Sequence, residues 1–379
     1  MINLASKDLQ NGMVTAQSIY NSTGASYLTK GTKLNSQYIT RLKKLGVKSL
    51  SVTSLNPDMP LPPPEDIVQE NTRVTAIHRV FATFQELEES GRFDIDSLQN
   101  STESILVDLV SQRKNLVQIT DIRMHDSYTF AHSVNVAILS AMLGTIYGYN
   151  EKEIFQLTLG GLLHDIGKII IPAEILNKPT SLTDEEFAII RTHPEAGRRK
   201  LRELNVPIAS LIATIAAQHH EHMDGTGYPN HLQASSIHRF ARITAIADVY
   251  DALSSNRPYK KSYRPHVVHR IMTTCSQGQF DEDLLNKFFD NVAIYPIGTV
   301  MKTKFGYAIV KRVDFGHTKT PIICVFADEN THLLTKPFNV DLTQCPADTI
   351  ETILEDNELY KLTHLLGIDP AAFILGTTG

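Results

Sequence analysis

The chain has 379 residues and a formal net charge of −5, so it carries no global positive field to hold a nucleic-acid backbone or an anionic membrane; any phosphate recognition has to be local. Charged residues at 20% and hydrophobic residues at 42% exclude wholesale disorder, and the length predicts two or three structural units. Three cysteines, Cys275, Cys324 and Cys345, are odd in number and far apart, which excludes a disulfide framework and a thiolate zinc cage.

Residues 1–60 alternate short apolar runs with turn signals at Asn11-Gly12, Thr23-Gly24 and Lys30-Gly31, predicting small strands, including Val47–Val52, around one helix from Ser36 to Leu45. No apolar run reaches the roughly 20 residues that span a bilayer, and Met1–Asp8 lacks the apolar stretch of a signal peptide, so the expectation is a cytoplasmic protein without a membrane or DNA partner. The segment Asn56–Glu65 carries five prolines and is read as a semi-rigid linker, with a boundary near residue 60.

From Glu65 to Asp290 the apolar spacing is helical. Thr183-Asp184-Glu185-Glu186 is a capping-box signal for a helix running to Thr192, with Pro194 marking its end. After residue 291 the texture changes to short apolar runs such as Ile322–Phe326 between polar turns, predicting strands. The expected fold is mainly α: a helical domain over 111–290, preceded by a small α/β module (1–60) and connecting helices (61–110), and followed by a strand-rich tail ending in a helix (291–379).

Gln218-His219-His220-Glu221-His222-Met223-Asp224-Gly225-Thr226-Gly227-Tyr228-Pro229 is the most informative stretch, because adjacent imidazoles running into an acidic, glycine-rich turn make a poor core and a good metal site. Upstream, His164-Asp165-Ile166-Gly167-Lys168 follows the apolar stripe Phe155, Leu159, Leu162 and Leu163, and Gly167 would let the chain turn out of a helix. His219 continues the inward stripe Ile212, Ile215 and Ala216. His132 precedes Val136, Leu139 and Leu143, and Asp248 lies within the apolar segment Ile243–Leu253. Ionisable groups on inward faces are costly unless paired or metal-bound. Imidazole and carboxylate without thiolate suit iron, manganese, nickel or zinc.

HD-x-GK, HHExxDGxGYP and DxxDA, in this order, make residues 110–290 resemble the HD-GYP family, a branch of the HD phosphohydrolase superfamily that linearises cyclic dinucleotides. The resemblance implies seven metal ligands: His132, His164, Asp165, His193, His219, His220 and Asp248. One ion falls to His132, His164, Asp165 and Asp248, and a second to Asp165, His193, His219 and His220, with Asp165 bridging. Iron or manganese is expected first, nickel or zinc as alternatives. A hydroxide shared by the two ions would attack a 3′,5′ linkage of cyclic di-GMP, or of 3′,3′-cyclic GMP-AMP, and leave a linear dinucleotide.

Asp165 and Lys168 are the expected catalytic residues. Lys168, Gly227, Tyr228, Asp251, Arg257 and Lys260 are the expected substrate contacts: the cations hold phosphate, a guanine stacks on Tyr228 or meets the Gly227 backbone, and both Gly225 and Gly227 are free to take positive φ. Asp251, one helical turn from Asp248, would serve to orient a ligand or Lys168, and would equally serve to cap a neighbouring helix. A three-metal subset of the family carries a glutamate four residues before the first histidine; Tyr128 stands there, so two ions are expected. The alternative function is a non-catalytic sensor that binds the dinucleotide or a diguanylate cyclase; a mononucleotide-directed HD enzyme leaves the GYP extension without a role. A homodimer is compatible with this reading.

Overall fold

The computed structural model describes residues 2–20, 26–47, 49–55, 57, 66–111, 123–124, 128–178, 180–204, 208–255 and 262–375. The chain opens with β1 (Ile2–Ala5), β2 (Ile19–Tyr20), β3 (Ser26–Leu28), α1 (Ser36–Lys44) and β4 (Ser49–Val52). The helix starts where Asn35 accepts the Tyr38 N–H, satisfying a donor that the first helical turn would leave orphaned.

Helices then dominate: α2 (Glu70–Ser90), α3 (Ile95–Ser111), α4 (Tyr128–Tyr147), α5 (Glu151–Leu163), α6 (Ala173–Leu176), α7 (Asp184–Ile190), α8 (His193–Arg202), α9 (Ala209–Gln218), α10 (Arg239–Ser254), α11 (Pro265–Arg270) and α12 (Glu282–Asn291), with a short strand β5 (Arg123–Met124) before α4. The Thr183–Glu186 capping box forms as its sequence predicts. Pro194, expected to end that helix, instead sits in the first turn of α8, where its missing N–H costs nothing.

Strands return as β6 (Val300–Thr303), β7 (Gly306–Arg312), β8 (Ile322–Ala327), β9 (Leu333–Asp341) and β10 (Ile350–Ile353), followed by α13 (Asp356–Leu366) and α14 (Ala372–Leu375). The five strands form an antiparallel sheet in the order β10-β6-β7-β8-β9.

The four consecutive segments expected from the sequence resolve into two compact units. One comprises residues 1–66, 115–126 and 290–379; the other comprises 67–114 and 127–289. In the first unit the N-terminal module and the C-terminal tail share a core. Leu4, Leu42, Leu50 and Val52 cluster with Ile309, Cys324, Phe326, Leu359 and Leu362. Strand alternation explains why Ile322–Phe326 reads as a continuous apolar run: Cys324 and Phe326 face that core, while Ile323 and Val325 face a second one with Met301 and Val310. Asp369 ties the two parts together by accepting from the Ser54 hydroxyl and the Leu55 N–H, each at 2.7 Å. The tail has the second core to itself, but the first core draws on both parts, so a boundary placed between them by chain order divides it.

The helical unit is built on α4, which packs against α2, α5 and α10; α9 packs against α5 and α8. Every residue from Ala131 to Gly144 is buried, so this stretch of α4 shows no polar face. Phe130–Tyr147 is, contrary to the expectation from sequence, long and apolar enough to cross a bilayer, but 72% of it is buried inside the protein, as befits a central core helix. Of residues 61–110, expected as a linker and connecting helices, 67–110 belong to this unit through α2 and α3, and the proline-rich linker, Pro57 apart, lies outside the described residues.

Candidate metal centre

Helix ends bring the ionisable groups together. His132 lies in the first turns of α4, His164 caps the C-terminus of α5, Asp165 opens a short 3-10 turn over Ile166–Ile170, His193 begins α8, His219 caps α9, and Asp248 projects from α10. Gly167 makes this possible by close approach: a Cβ there would lie 1.9 Å from the His193 carbonyl oxygen, and Gly197 backbone would be 2.5 Å away. The 3-10 turn therefore seats directly on α8. It does not use positive φ, as a helix-terminating glycine would.

Ligand atoms of His132, His164 and Asp165 lie within 4.8 Å of one another, and so do those of Asp165, His193, His219 and His220. Asp165 belongs to both groups, and its two oxygens divide between them. Oδ2 is 3.3 Å from His164 Nε2 and 3.9 Å from His132 Nε2. Oδ1 is 3.3 Å from His193 Nε2 and 3.8 Å from His219 Nε2. Asp248 joins through Oδ1, 3.0 Å from His132 Nε2, and Oδ2, 3.8 Å from His220 Nδ1.

Three imidazoles are oriented in the same way. His164 Nδ1–H donates to the Gly161 carbonyl at 2.7 Å, His193 Nδ1–H to Ile190 at 2.8 Å and His219 Nδ1–H to Ala216 at 2.9 Å. Each acceptor is a carbonyl of a final helical turn, left without an intrahelical partner. Using these carbonyls fixes the tautomer and turns each Nε2 lone pair inward.

At His219, His220 and Asp165 the electrostatics favour cation binding. Burial depresses His219 well below the usual histidine range, with neighbouring His220, His164 and His193 adding to the effect, and burial takes His220 down to about 3. Both imidazoles are neutral, with lone pairs available. Burial opposes ionisation of Asp165, but Lys168 and His164 outweigh it and hold the carboxyl well below its ordinary range. Burial would also depress His132, yet hydrogen bonds to Asp248 and Asp251 lift it to about 9, and Asp248 is held ionised by the same contact. His164 Nε2 and Asp165 Oδ1 are buried without a hydrogen-bond partner among the described residues. Buried polar atoms seldom go unpaired, so this donor set fits a metal ion.

Around the donors, Lys168 Nζ lies 2.5 Å from Asp165 Oδ2. Tyr228 stacks on His220 at 4.7 Å between centroids and 23° between planes. Of the two loop glycines Gly225 and Gly227, only Gly225 takes positive φ, +82°. Gly227 serves close approach instead, since a Cβ would lie 2.3 Å from the His222 nitrogen and 2.5 Å from the His220 oxygen. Asp251, expected among the substrate contacts, is buried behind His132 with both oxygens engaged: Oδ2 with His132 Nδ1 at 2.6 Å, Oδ1 with Asn135 Nδ2 at 2.8 Å and Ser255 Oγ at 2.9 Å. It orients a donor and has no contact left for Lys168. Arg257 and Lys260 lie outside the described residues.

Two residues were not singled out from the sequence. Buried Glu221 accepts from the Asn230 and Leu232 N–H groups at 2.7 and 2.9 Å and so pins the Gly-Tyr-Pro loop; its place inside the motif was the available signal. Arg191 holds its guanidinium 5.2 Å over the Tyr228 ring and 4.6 Å over Phe187, two residues before the donor His193.

A family model described as HD domain matches residues 105–284. The chain is 34% identical over 248 residues to a cyclic di-GMP phosphodiesterase of Pseudomonas aeruginosa, covering 65% of this chain and 59% of that one. It is 35% identical over 190 residues to the 3′3′-cGAMP-specific phosphodiesterase 2 of Vibrio cholerae, covering 50% and 36%. A cyclic di-GMP phosphodiesterase of Thermotoga maritima is 44% identical over 163 residues, covering 43% and 44%. The chain thus spans less than two thirds of each relative's length. An HDG"Y"P protein from Bdellovibrio bacteriovorus has a similar fold, with a TM-score of 0.51 and 18% identity over 76% of this chain and 97% of that one.

Proposed function

We propose, from the HD domain match over residues 105–284 and the HD-GYP motifs that the chain carries, that it is a metal-dependent phosphodiesterase of that family that opens one 3′,5′ linkage of a cyclic dinucleotide. Cyclic di-GMP is the first substrate of this reading and 3′,3′-cyclic GMP-AMP the second, following the named activities of the relatives. The observation that carries it is the division of the two Asp165 oxygens between two groups of inward-facing imidazoles.

His132, His164, Asp165 and Asp248 would hold one divalent ion, and Asp165, His193, His219 and His220 the other, iron or manganese before nickel or zinc. When bound, such a pair supplies Lewis acidity that makes a nucleophile from water near neutral pH and offsets charge on the phosphoryl oxygens. The chain's own groups do the rest. The helix-end carbonyls hold the imidazole tautomers, and Lys168 places Nζ beside Asp165, where a phosphoryl or departing oxygen can be met. Arg191, its position steadied by two rings, offers guanidinium N–H groups to a phosphate or a guanine edge. Water adds to phosphorus, one phosphorus–oxygen bond breaks, the departing ribose oxygen takes a proton, and a linear dinucleotide remains. A cytoplasmic setting suits such a substrate. Among the described residues the other unit supplies none of these donors, and we assign it a regulatory or interaction role.

The test is anaerobic purification, metal determination and chromatography of cyclic di-GMP, 3′,3′-cyclic GMP-AMP and cyclic di-AMP after incubation. Linear dinucleotide from the first or second, abolished by chelation, is expected. A protein that holds its metals and binds a cyclic dinucleotide without cleaving it would be a sensor instead. Arg191→Ala is expected to raise KM more than it lowers kcat.

A further inference from the structure

We propose that Arg73, on α2, is a positioning residue for the metal centre, acting through Asn135 and Asp251 on His132. The inference rests on reading the histidine cluster as a metal site. Arg73 is 1% exposed, among the most deeply buried large side chains of the protein, and lies outside the residues that the family model matches. A guanidinium in such a place is costly unless its donors are used, and apolar packing alone gives no reason for an arginine.

A chain of hydrogen bonds that starts at Nη1 supplies one reason. Arg73 Nη1 donates to Asn135 Oδ1 at 2.7 Å. A guanidinium has donors only, so it selects the amide oxygen and leaves the Asn135 NH2 group facing the other way. That group donates to Asp251 Oδ1 at 2.8 Å, and the remaining Asp251 oxygen meets His132 Nδ1 at 2.6 Å. On the far side of the ring, Nε2 faces Asp248 and Asp165. Asn135 is 8%, Asp251 3% and His132 3% exposed, so water does not compete along the path. Arg73 thus sets the amide, the amide sets the carboxylate, and the carboxylate holds the His132 ring with one nitrogen toward the ion. Asn135 shares a face of α4 with His132, three residues on.

Groups of this kind, which orient a ligand without touching the ion, are worth about ten- to a hundredfold in metal affinity. The probe is Mn(II) alone, titrated into the metal-free full chain and followed by electron paramagnetic resonance and calorimetry, without substrate. Wild type is expected to take two ions. Arg73→Met is expected to bind one of them about ten- to a hundredfold more weakly and keep the other, with Arg73→Lys, which retains a donor, in between. Asn135→Asp, which keeps a partner for Arg73 but faces Asp251 with a second carboxylate, tests the same path without a large cavity and decides the matter if Arg73→Met does not fold. Leu98→Ala, a fully buried position on α3, serves as the control for lost stability; it should lower Tm and leave Mn(II) affinity unchanged. Unchanged affinity for both ions in folded Arg73→Met, or in Asn135→Asp where Arg73→Met does not fold, overturns the proposal, as does an equal loss in Leu98→Ala. A wild-type chain that takes up no Mn(II) would instead overturn the metal reading, and the inference with it.

Discussion

Lys168 Nζ stands 2.5 Å from Asp165 Oδ2, with the lysine side chain 22% exposed and the carboxylate 1%. The ammonium therefore reaches from the edge of the site to the carboxylate shared by both groups of donors. It offsets the burial that would otherwise protonate Asp165. Lys168→Ala is expected to lower kcat/KM by roughly 2–4 kcal/mol, the scale of a lost electrostatic donor, while Lys168→Arg recovers part of it. Steady-state kinetics with the metal content measured in parallel would check this. Values within twofold of the parent would make Lys168 a bystander. Asp165→Ala, by contrast, should abolish turnover and metal retention together in a chain that stays folded.

Glu221 lies between the donor His220 and the turn that follows, yet its carboxylate points away from the donors to the Asn230 and Leu232 amides. It is 3% exposed. Glu221→Ala leaves those amides without their acceptor, at about 1–3 kcal/mol for the buried groups. The expected signature is a lower Tm together with higher KM, because Tyr228 is carried on the same loop and stacks on His220. Glu221→Gln keeps an acceptor oxygen and should retain part of both. A Tm unchanged in Glu221→Ala would count against the clamp.

Most of the clustered groups were legible because their motifs sit at helix ends, where apolar stripes stop and polar chemistry begins; Asp248, inside α10, stood out as an acid within an apolar run. His164 and His219 each close such a stripe. What periodicity could not reveal is the support behind them. Arg73 meets Asn135 across 62 residues, and His132 meets Asp251 across 119; neither pairing leaves a local trace. Spacing puts Asp251 near Asp248 on α10 and leaves it between a substrate contact and a group that orients a ligand; only the packing of α10 on α4 decides that it faces His132. The joint core of the first unit was hidden for the same reason: Ser54 and Asp369 are 315 residues apart. α4 gave no amphipathic signal, since a helix buried on all sides has no polar face to mark its period.

That joint core changes what truncation should do. Removing residues 1–66 would take away Leu4, Leu42, Leu50 and Val52 and uncover Ile309, Phe326, Leu359 and Leu362. Each fully buried aliphatic or aromatic side chain stabilises by about 1.5–3 kcal/mol; several together approach the roughly 5–15 kcal/mol that hold a whole domain folded. Such a truncated chain is expected to aggregate and to bind a hydrophobic dye, even though the metal donors lie in the other unit. Light scattering and dye fluorescence would measure it. A monomeric, dye-negative product would show that the C-terminal sheet holds its fold unaided.

The number of ions is expected to follow from the donors that the described residues bring into reach of the cluster. The two donor groups share Asp165 and, with Asp248, use His132, His164, His193, His219 and His220. A third ion would need a further anionic donor near His132. In sequence the position four residues before it is Tyr128, not a carboxylate, and Asp126, six residues back, lies outside the described residues. A phenol stays protonated near neutral pH, with an ordinary pKa of about 10, and ligates weakly in that form. Two ions per chain are therefore expected by elemental analysis. With no third cation to hold the new terminal phosphate, the linear dinucleotide should accumulate and be cleaved to mononucleotides slowly if at all. Tyr128→Glu should raise the metal content toward three and speed the second cleavage. Three ions at full occupancy in the parent would refute the count, and rapid release of mononucleotides by the parent would refute the product independently.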